Sequence, residues 1–203
     1  MMLELFLPFL IAIFLLTITP GLDTALVIRT AAAHKVKGLQ AALGIACGCL
    51  AWGILVACGV GALLASSELA FNIMKWVGAI YLLWLGFGLL FKPRQVMDIS
   101  VDRPAQENAF LKGLLTNILN PKVGIFYVSF LPQFVPSSEH TTLWLFGMVL
   151  VHVVLGLLWS LFLIRLMKPI SKLILQPKNL RKIDQVTGSV FILFALKIAV
   201  SPR

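Results

Sequence analysis

Charge is what this sequence has least of. Eight acidic residues, seventeen basic ones and three histidines occur in 203 residues that are 60% hydrophobic. Charged side chains make up 12%, against about 25% in an average soluble domain. Mean hydropathy reaches +0.97. Such a composition excludes a soluble globular chain and indicates an integral membrane protein. Catalytic sets are missing too. The apolar segments hold no Ser-His-Asp grouping, no His-Glu-x-x-His helix and no P-loop lysine, so a membrane enzyme is disfavoured and no cofactor is expected. Cysteine is scarce, and Cys47, Cys49 and Cys58 all fall in one apolar run. Cys-x-Cys is too close to bridge along a helix and no histidine or acidic cluster accompanies it, so no disulfide or metal site is expected. These cysteines read as small packing residues.

What is present is a nearly continuous series of apolar runs: Leu3–Ile28, Gly38–Leu64, Phe71–Phe91, Gly113–Val135, Leu143–Met167 and Ile183–Val200. Each approaches the ~20 residues that cross ~30 Å of hydrocarbon as a helix. The longest connections, Lys92–Lys112 and Lys168–Lys182, are too short for a soluble domain. The first run lacks a basic start, carries Glu4 and precedes no small-residue cleavage pattern, so it is expected to remain as a span.

A net charge of +9 on a soluble face would suggest nucleic acid. Here its placement carries topology instead. Thirteen of the seventeen basic residues lie in the first, third and fifth loops or at their helix ends; Lys75, Lys197 and Arg203 lie opposite, and Lys122 sits within the fourth run. The positive-inside rule then puts the three basic loops in the cytoplasm and both termini outside.

Two runs are interrupted in corresponding places, by TITPGLD at Thr17–Asp23 and by NILNPKVGIF at Asn117–Phe126. Freed N–H and C=O groups find no water in hydrocarbon, so such breaks belong where helices line a cavity. Matched breaks in two halves mark a transporter's binding site. Pro20 lies nine residues from Arg29 and Pro121 nine from Lys112, which at 1.5 Å per helical residue puts both about 13 Å from the basic end. Neither break carries a cysteine, which argues against a thiol-disulfide electron carrier.

The residues at the breaks suggest their chemistry. Pro20 removes a donor and Gly21 relaxes the backbone, leaving the carbonyls near Leu16 and Thr17 as ligands for an ammonium; alternatively Thr17 and Thr19 hydroxyls patch a mere kink. Asp23 is a carboxylate within an apolar segment, where it costs at least ~2.5–3.5 kcal/mol at the membrane centre and persists by pairing, binding or moving protons. Lys122, with Asn117 and Asn120 one turn before it, complements Asp23. The two either pair with each other or receive the two ends of a zwitterion. His152, alone among apolar neighbours, is a candidate proton relay or a structural hydrogen-bonding group. Asp23 and His152 are thus the two candidates for proton coupling.

GAIYLLW (Gly78–Trp84) aligns with GSVFILF (Gly188–Phe194), and the first and fourth runs align on their prolines. The expected fold is therefore all-α and integral to the membrane: six transmembrane helices in two inverted three-helix repeats, with the first and fourth proline-broken. Repeat 1 covers about 1–91 and repeat 2 about 113–203, joined by a cytoplasmic loop at 92–112 in one membrane domain. Small residues at Ala41, Gly44, Gly48, Cys49, Ala57, Gly61, Gly78, Gly86 and Gly88 predict close helix contacts, within one chain or between copies in a homo-oligomer. Trp76 and Trp144 suit the outer interface.

The stretches TPGLD, RTAAAHKVKGLQAALGIACG (Arg29–Gly48) and NPKVGIFYVSFLPQFV (Asn120–Val135) resemble the LysE/RhtB family of bacterial amino-acid exporters, and the likeness covers essentially the whole chain. The resemblance implies a multi-pass carrier of the bacterial inner membrane that expels amino acids or close derivatives using the proton gradient. It also implies a translocation site at Pro20, Gly21, Asp23, Asn120, Pro121 and Lys122. In one respect the sequence departs from the pattern: the family often has a second proline after the glycine, where this chain has Leu22. A cation, metal or other small-metabolite exporter is the rival reading. A divalent ion would want several oxygen or thiolate ligands, and one Asp beside a Lys repels it. A chain with no transport role would leave the mirrored breaks unexplained.

Overall fold

The computed structural model describes residues 2–60, 68–93, 108–135, 141–166 and 176–200. These form eight α-helices: α1 (Met2–Ile18), α2 (Leu22–Ala33), α3 (Lys35–Leu55), α4 (Glu68–Phe91), α5 (Ala109–Ile118), α6 (Pro121–Ser129), α7 (Thr141–Arg165) and α8 (Pro177–Val200). A π-helical turn at Val56–Val60 prolongs α3 and a 3-10 turn at Leu131–Phe134 follows α6.

The first and fourth expected spans are each two helices, bent by 47° between α1 and α2 and by 50° between α5 and the α6 segment. By length and composition α3 with its π turn, α7 and α8 can each cross a membrane, and counting each bent pair as one span raises the number to five. The third expected span, Phe71–Phe91, falls on the 24-residue helix α4.

Helix ends differ from the apolar runs because helix formation does not stop where hydropathy does. The polar, alanine-rich TAAA of Thr30–Ala33 carries α2 five residues past Ile28, alanine being the best helix former. Helix α8 begins at Pro177, six residues before Ile183, since proline's missing N–H is harmless in a first turn. The end of the second run beyond Val60, Gly61 included, Met167 and most of the Lys92–Lys112 and Lys168–Lys182 loops lie outside the described residues.

Small residues set the helix contacts, and those that can be placed act within the chain. Helix α3 lies along α5, where a side chain on Gly44 would strike the Phe110 carbonyl and one on Gly113 the Ala41 carbonyl. Helix α4 crosses α8 with Gly86 against Gly188: a Cβ on Gly86 would fall 2.8 Å from the Gly188 oxygen. Gly78 abuts Ser129, whereas Gly88 has open space. The cysteines divide: Cys49 is buried, while Cys47 and Cys58 are exposed on the outside of the helices rather than packed within the chain.

The main apolar core joins α1, α3, α4, α6, α7 and α8. At the end away from Arg29, Lys112 and Arg165 it is aromatic. Phe130 stands 4.4 Å from Phe126, 4.6 Å from Phe134 and 5.8 Å from Phe194 between ring centroids, and Phe9 joins through Phe134 at 6.0 Å. All but Phe194 are buried, so rings fill the interior here.

Gly86→Val is expected to force α4 from α8 and lower stability by about 2 kcal/mol, the usual scale of overpacking. A lower melting temperature of the detergent-purified protein would register it.

Candidate functional site

The first break follows directly from its sequence. In a continuous helix the N–H of residue 20 would serve the Leu16 carbonyl; proline has none. The hydroxyls of Thr17 and Thr19 donate to the carbonyls of Ile13 at 2.7 Å and Leu15 at 2.5 Å, which leaves Leu16 out. Gly21 then takes an extended conformation as N-cap of α2, and its carbonyl accepts from Ala25 N–H at 2.9 Å. Asp23 sits in the first turn of α2, where the helix dipole favours a carboxylate.

The second break is built differently. Asn120 caps α6, its side chain accepting from the Lys122 N–H at 3.1 Å, and Pro121 occupies the first helical position. The Asn120 N–H bonds the Asn117 carbonyl at 3.0 Å, closing α5 with a turn. Pro121 is exposed, and its carbonyl accepts from Tyr81 OH at 3.5 Å.

The breaks meet through two side chains. Lys122 Nζ donates to the Leu16 carbonyl at 3.0 Å and the Thr19 carbonyl at 3.2 Å. Asn117 Nδ2 donates to Asp23 Oδ2 at 2.8 Å, while Asp23 Oδ1 is buried with no hydrogen-bond partner. Gly48 makes room for this contact, since a Cβ there would stand 2.6 Å from Asn117 Oδ1. Thr19 Oγ1 also lies 2.9 Å from Thr187 Oγ1 of α8.

One narrow cavity of about 70 Å³ gathers Thr17, Thr19, Gly21, Asp23, Asn120, Lys122 and His152. Pro20 lines a second, wider opening against α4 that reaches Lys92, and shares Thr19, Gly21 and Lys122 with the first. Asn117 supports Asp23 without lining either, and Pro121 lies outside both. Much of the remaining lining of the first cavity is aliphatic, with Val27, Ala42, Ile45, Ala46, Val153, Leu157 and Leu163. Several of these belong to the half of the bundle near Arg29 and Arg165. His152 is buried, its Nδ1 2.7 Å from Tyr127 OH. Among the described residues no three His, Cys, Asp or Glu gather where a metal could be held.

Sequence reading passed over Trp159 and Ser160, which line the cavity, and Trp159 Nε1 is buried without a hydrogen-bond partner. Their signal was the spacing His152, Gly156, Ser160, one stripe of α7 at four-residue intervals. It also passed over Asp184 and Thr187, fully buried three residues apart on α8. A carboxylate at the start of the apolar run Ile183–Val200 was the available sign.

Asn117→Leu withdraws the donor from the Asp23 carboxylate and is expected to destabilise the protein by about 1.5–3 kcal/mol, the scale for a hydrogen bond to a charged group. Thermal unfolding against wild type measures it. In Asp23→Leu/Asn117→Leu, where neither group remains to be satisfied, the loss should be smaller than the sum of the single losses.

Comparison with known proteins points to a membrane translocator. The sequence model of the LysE type translocator family matches residues 14–201. A leucine efflux protein of Klebsiella pneumoniae is 33% identical over 199 residues, covering 96% of this chain and 94% of the relative. Another leucine efflux protein, from Enterobacter sp. (strain 638), is 29% identical over 196 residues, covering 94% and 93%. An uncharacterized membrane protein of Bacillus subtilis, YrhP, is 28% identical over 198 residues, covering 92% and 94%. No solved structure matches. With its broken helix pairs, its apolar spans and a family match over nearly its whole length, the chain belongs to the LysE type translocator family, a family of multi-pass membrane transporters.

Proposed function

We propose that this protein exports amino acids with apolar side chains, or close derivatives, from the bacterial cytoplasm in exchange for protons. The observation that carries the reading is the buried, unpartnered Asp23 Oδ1, on a residue that lines a cavity with a largely aliphatic remainder. A buried acceptor without a donor is costly, and an α-ammonium supplies one. The carboxylate of the same substrate finds Lys122, the Trp159 N–H and the N-terminal ends of α2 and α6, all positive. The aliphatic wall then receives the side chain. Leucine efflux by two relatives supports this choice of cargo.

Alternating access between inverted repeats is the proposed means. The similar bends at the two prolines support it. With the basic loops in the cytoplasm and both termini outside, the cavity opens inward and the Phe130 cluster seals the outer half, as an exporter waiting for cargo requires. One charge moved through 100 mV releases about 2.3 kcal/mol, and a tenfold substrate ratio needs about 1.4, so one proton per substrate sustains an outward gradient. Proton and ammonium compete for the Asp23 carboxylate, which couples the two fluxes. A divalent cation is the weaker reading, since Lys122 stands in the same cavity as Asp23.

Efflux of preloaded labelled amino acids from vesicles tests the reading. Selective efflux of leucine-like substrates is expected, with a fall of at least about tenfold in Asp23→Asn, corresponding to about 1.4 kcal/mol of lost interaction. A protonophore should abolish accumulation against a gradient. Concentrative transport by Asp23→Asn would refute the coupling, and efflux of metal ions alone would favour the rival cargo. His152→Gln keeps a partner for Tyr127 and should leave the pH profile of transport unaltered. A shifted profile would make His152 the relay.

A further inference from the structure

The carbonyls freed by the first break already hold an ammonium, and it belongs to the chain. Lys122 Nζ lies 3.0 Å from the Leu16 oxygen and 3.2 Å from the Thr19 oxygen. The first is the acceptor that Pro20 deprives of its helical donor. The second would serve the Asp23 N–H if the helix ran on unbroken, and the restart of α2 at Leu22 releases it. Lys122 reaches them from the opposite half of the molecule and passes beside Gly21, where a Cβ would make only ordinary contact, 3.9 Å from Nζ. Both cavities border Lys122, Thr19 and Gly21, so the bonded ammonium lies where an entering substrate arrives.

A carrier that alternates must pass through an occluded state, and occlusion changes what these carbonyls need. While the site is open, water can serve them. Once water is excluded each requires a donor from the protein or the cargo, because an unmade hydrogen bond in hydrocarbon has no substitute. A loaded carrier brings its own ammonium. In an empty one Lys122 reaches both carbonyls.

We infer that Lys122 is a tethered stand-in for the substrate's ammonium, bonded to the first break whenever the carrier is empty and thereby allowing the unloaded protein to reorient. The inference rests on the export reading and adds to it a division of labour. Asp23 receives the cargo's ammonium, and Lys122 serves the return of the unloaded carrier. When a zwitterion enters, its ammonium takes over as donor and its carboxylate draws Lys122 away from the carbonyls. Net export needs the empty return in every cycle. Exchange of substrate for substrate never empties the carrier and does not need it.

The two modes are separable in proteoliposomes that carry the wild-type protein, Lys122→Gln or Pro20→Ala. Net efflux of labelled leucine into substrate-free buffer is compared with its exchange against saturating unlabelled leucine outside, so that weakened affinity does not enter. The variants restrict the empty return in two ways: Lys122→Gln removes the charged donor, and Pro20→Ala supplies an N–H that rebinds the Leu16 carbonyl within the helix. Each is expected to lower net efflux at least about tenfold further than it lowers exchange, so that the ratio of net efflux to exchange falls. Pro20→Ala keeps the test decisive if Lys122→Gln does not fold. Equal loss of both modes in a variant that melts like wild type would overturn the inference and make Lys122 an ordinary substrate contact. An unchanged ratio of net efflux to exchange would overturn it as well. Absence of both modes in the wild type, across a panel of amino acids, would refute the export reading itself and the inference with it.

Discussion

A proline that cannot donate leaves the Leu16 carbonyl unserved, and in a membrane that carbonyl has no water to turn to. The protein answers with Lys122, whose ammonium would be as costly in hydrocarbon alone as the carbonyl is. Each group makes the other tolerable. Because one sits on α1 and the other on α6, their bond fixes where the halves of the molecule meet. The second contact across the same gap, Asn117 to Asp23, exists because α5 and α2 are already held at that distance.

Around this polar centre the helices approach as closely as small residues allow. Gly44 and Gly113 bring α3 against α5, and Gly86 with Gly188 brings α4 against α8. Gly48 is the point where the two demands coincide, since the space it leaves is filled by the amide that orients Asp23. A larger residue there would act on the carboxylate through the backbone of a helix that does not carry it. The aromatic rings of Phe126, Phe130 and Phe134 then fill the remaining space at the far end of the bundle. The cavity is the part of the interior that neither glycines nor rings occupy.

Much of the site was legible because its physics is local. Proline's missing N–H, a carboxylate in an apolar run and an asparagine before a proline are visible without a fold, and they locate both breaks. Partnership was not legible. Asp23 and Lys122 invite pairing in the sequence, yet the hydrogen bonds of Lys122 to Leu16 and Thr19 are to backbone, and Asp23 Oδ2 is served by an amide. Backbone acceptors carry no side-chain signature, so nothing in the residues at 16 and 19 announces them. Trp159 and Asp184 were missed for a related reason: only tertiary placement says whether a polar group on a helix meets a cavity, a partner or lipid.

By itself the sequence determined that the chain is a bundle of apolar helices with two interruptions, because hydropathy and the absence of a donor at proline are properties of single residues and short windows. It also determined which small residues would permit contact. Which helices meet at those residues was decided only in three dimensions: Gly44 could face another copy as readily as α5, and its surroundings show α5. Tertiary structure likewise decided where the interior is filled by rings. That outcome depends on residues as distant as Phe9 and Phe194 competing for the same volume, and no local pattern encodes it.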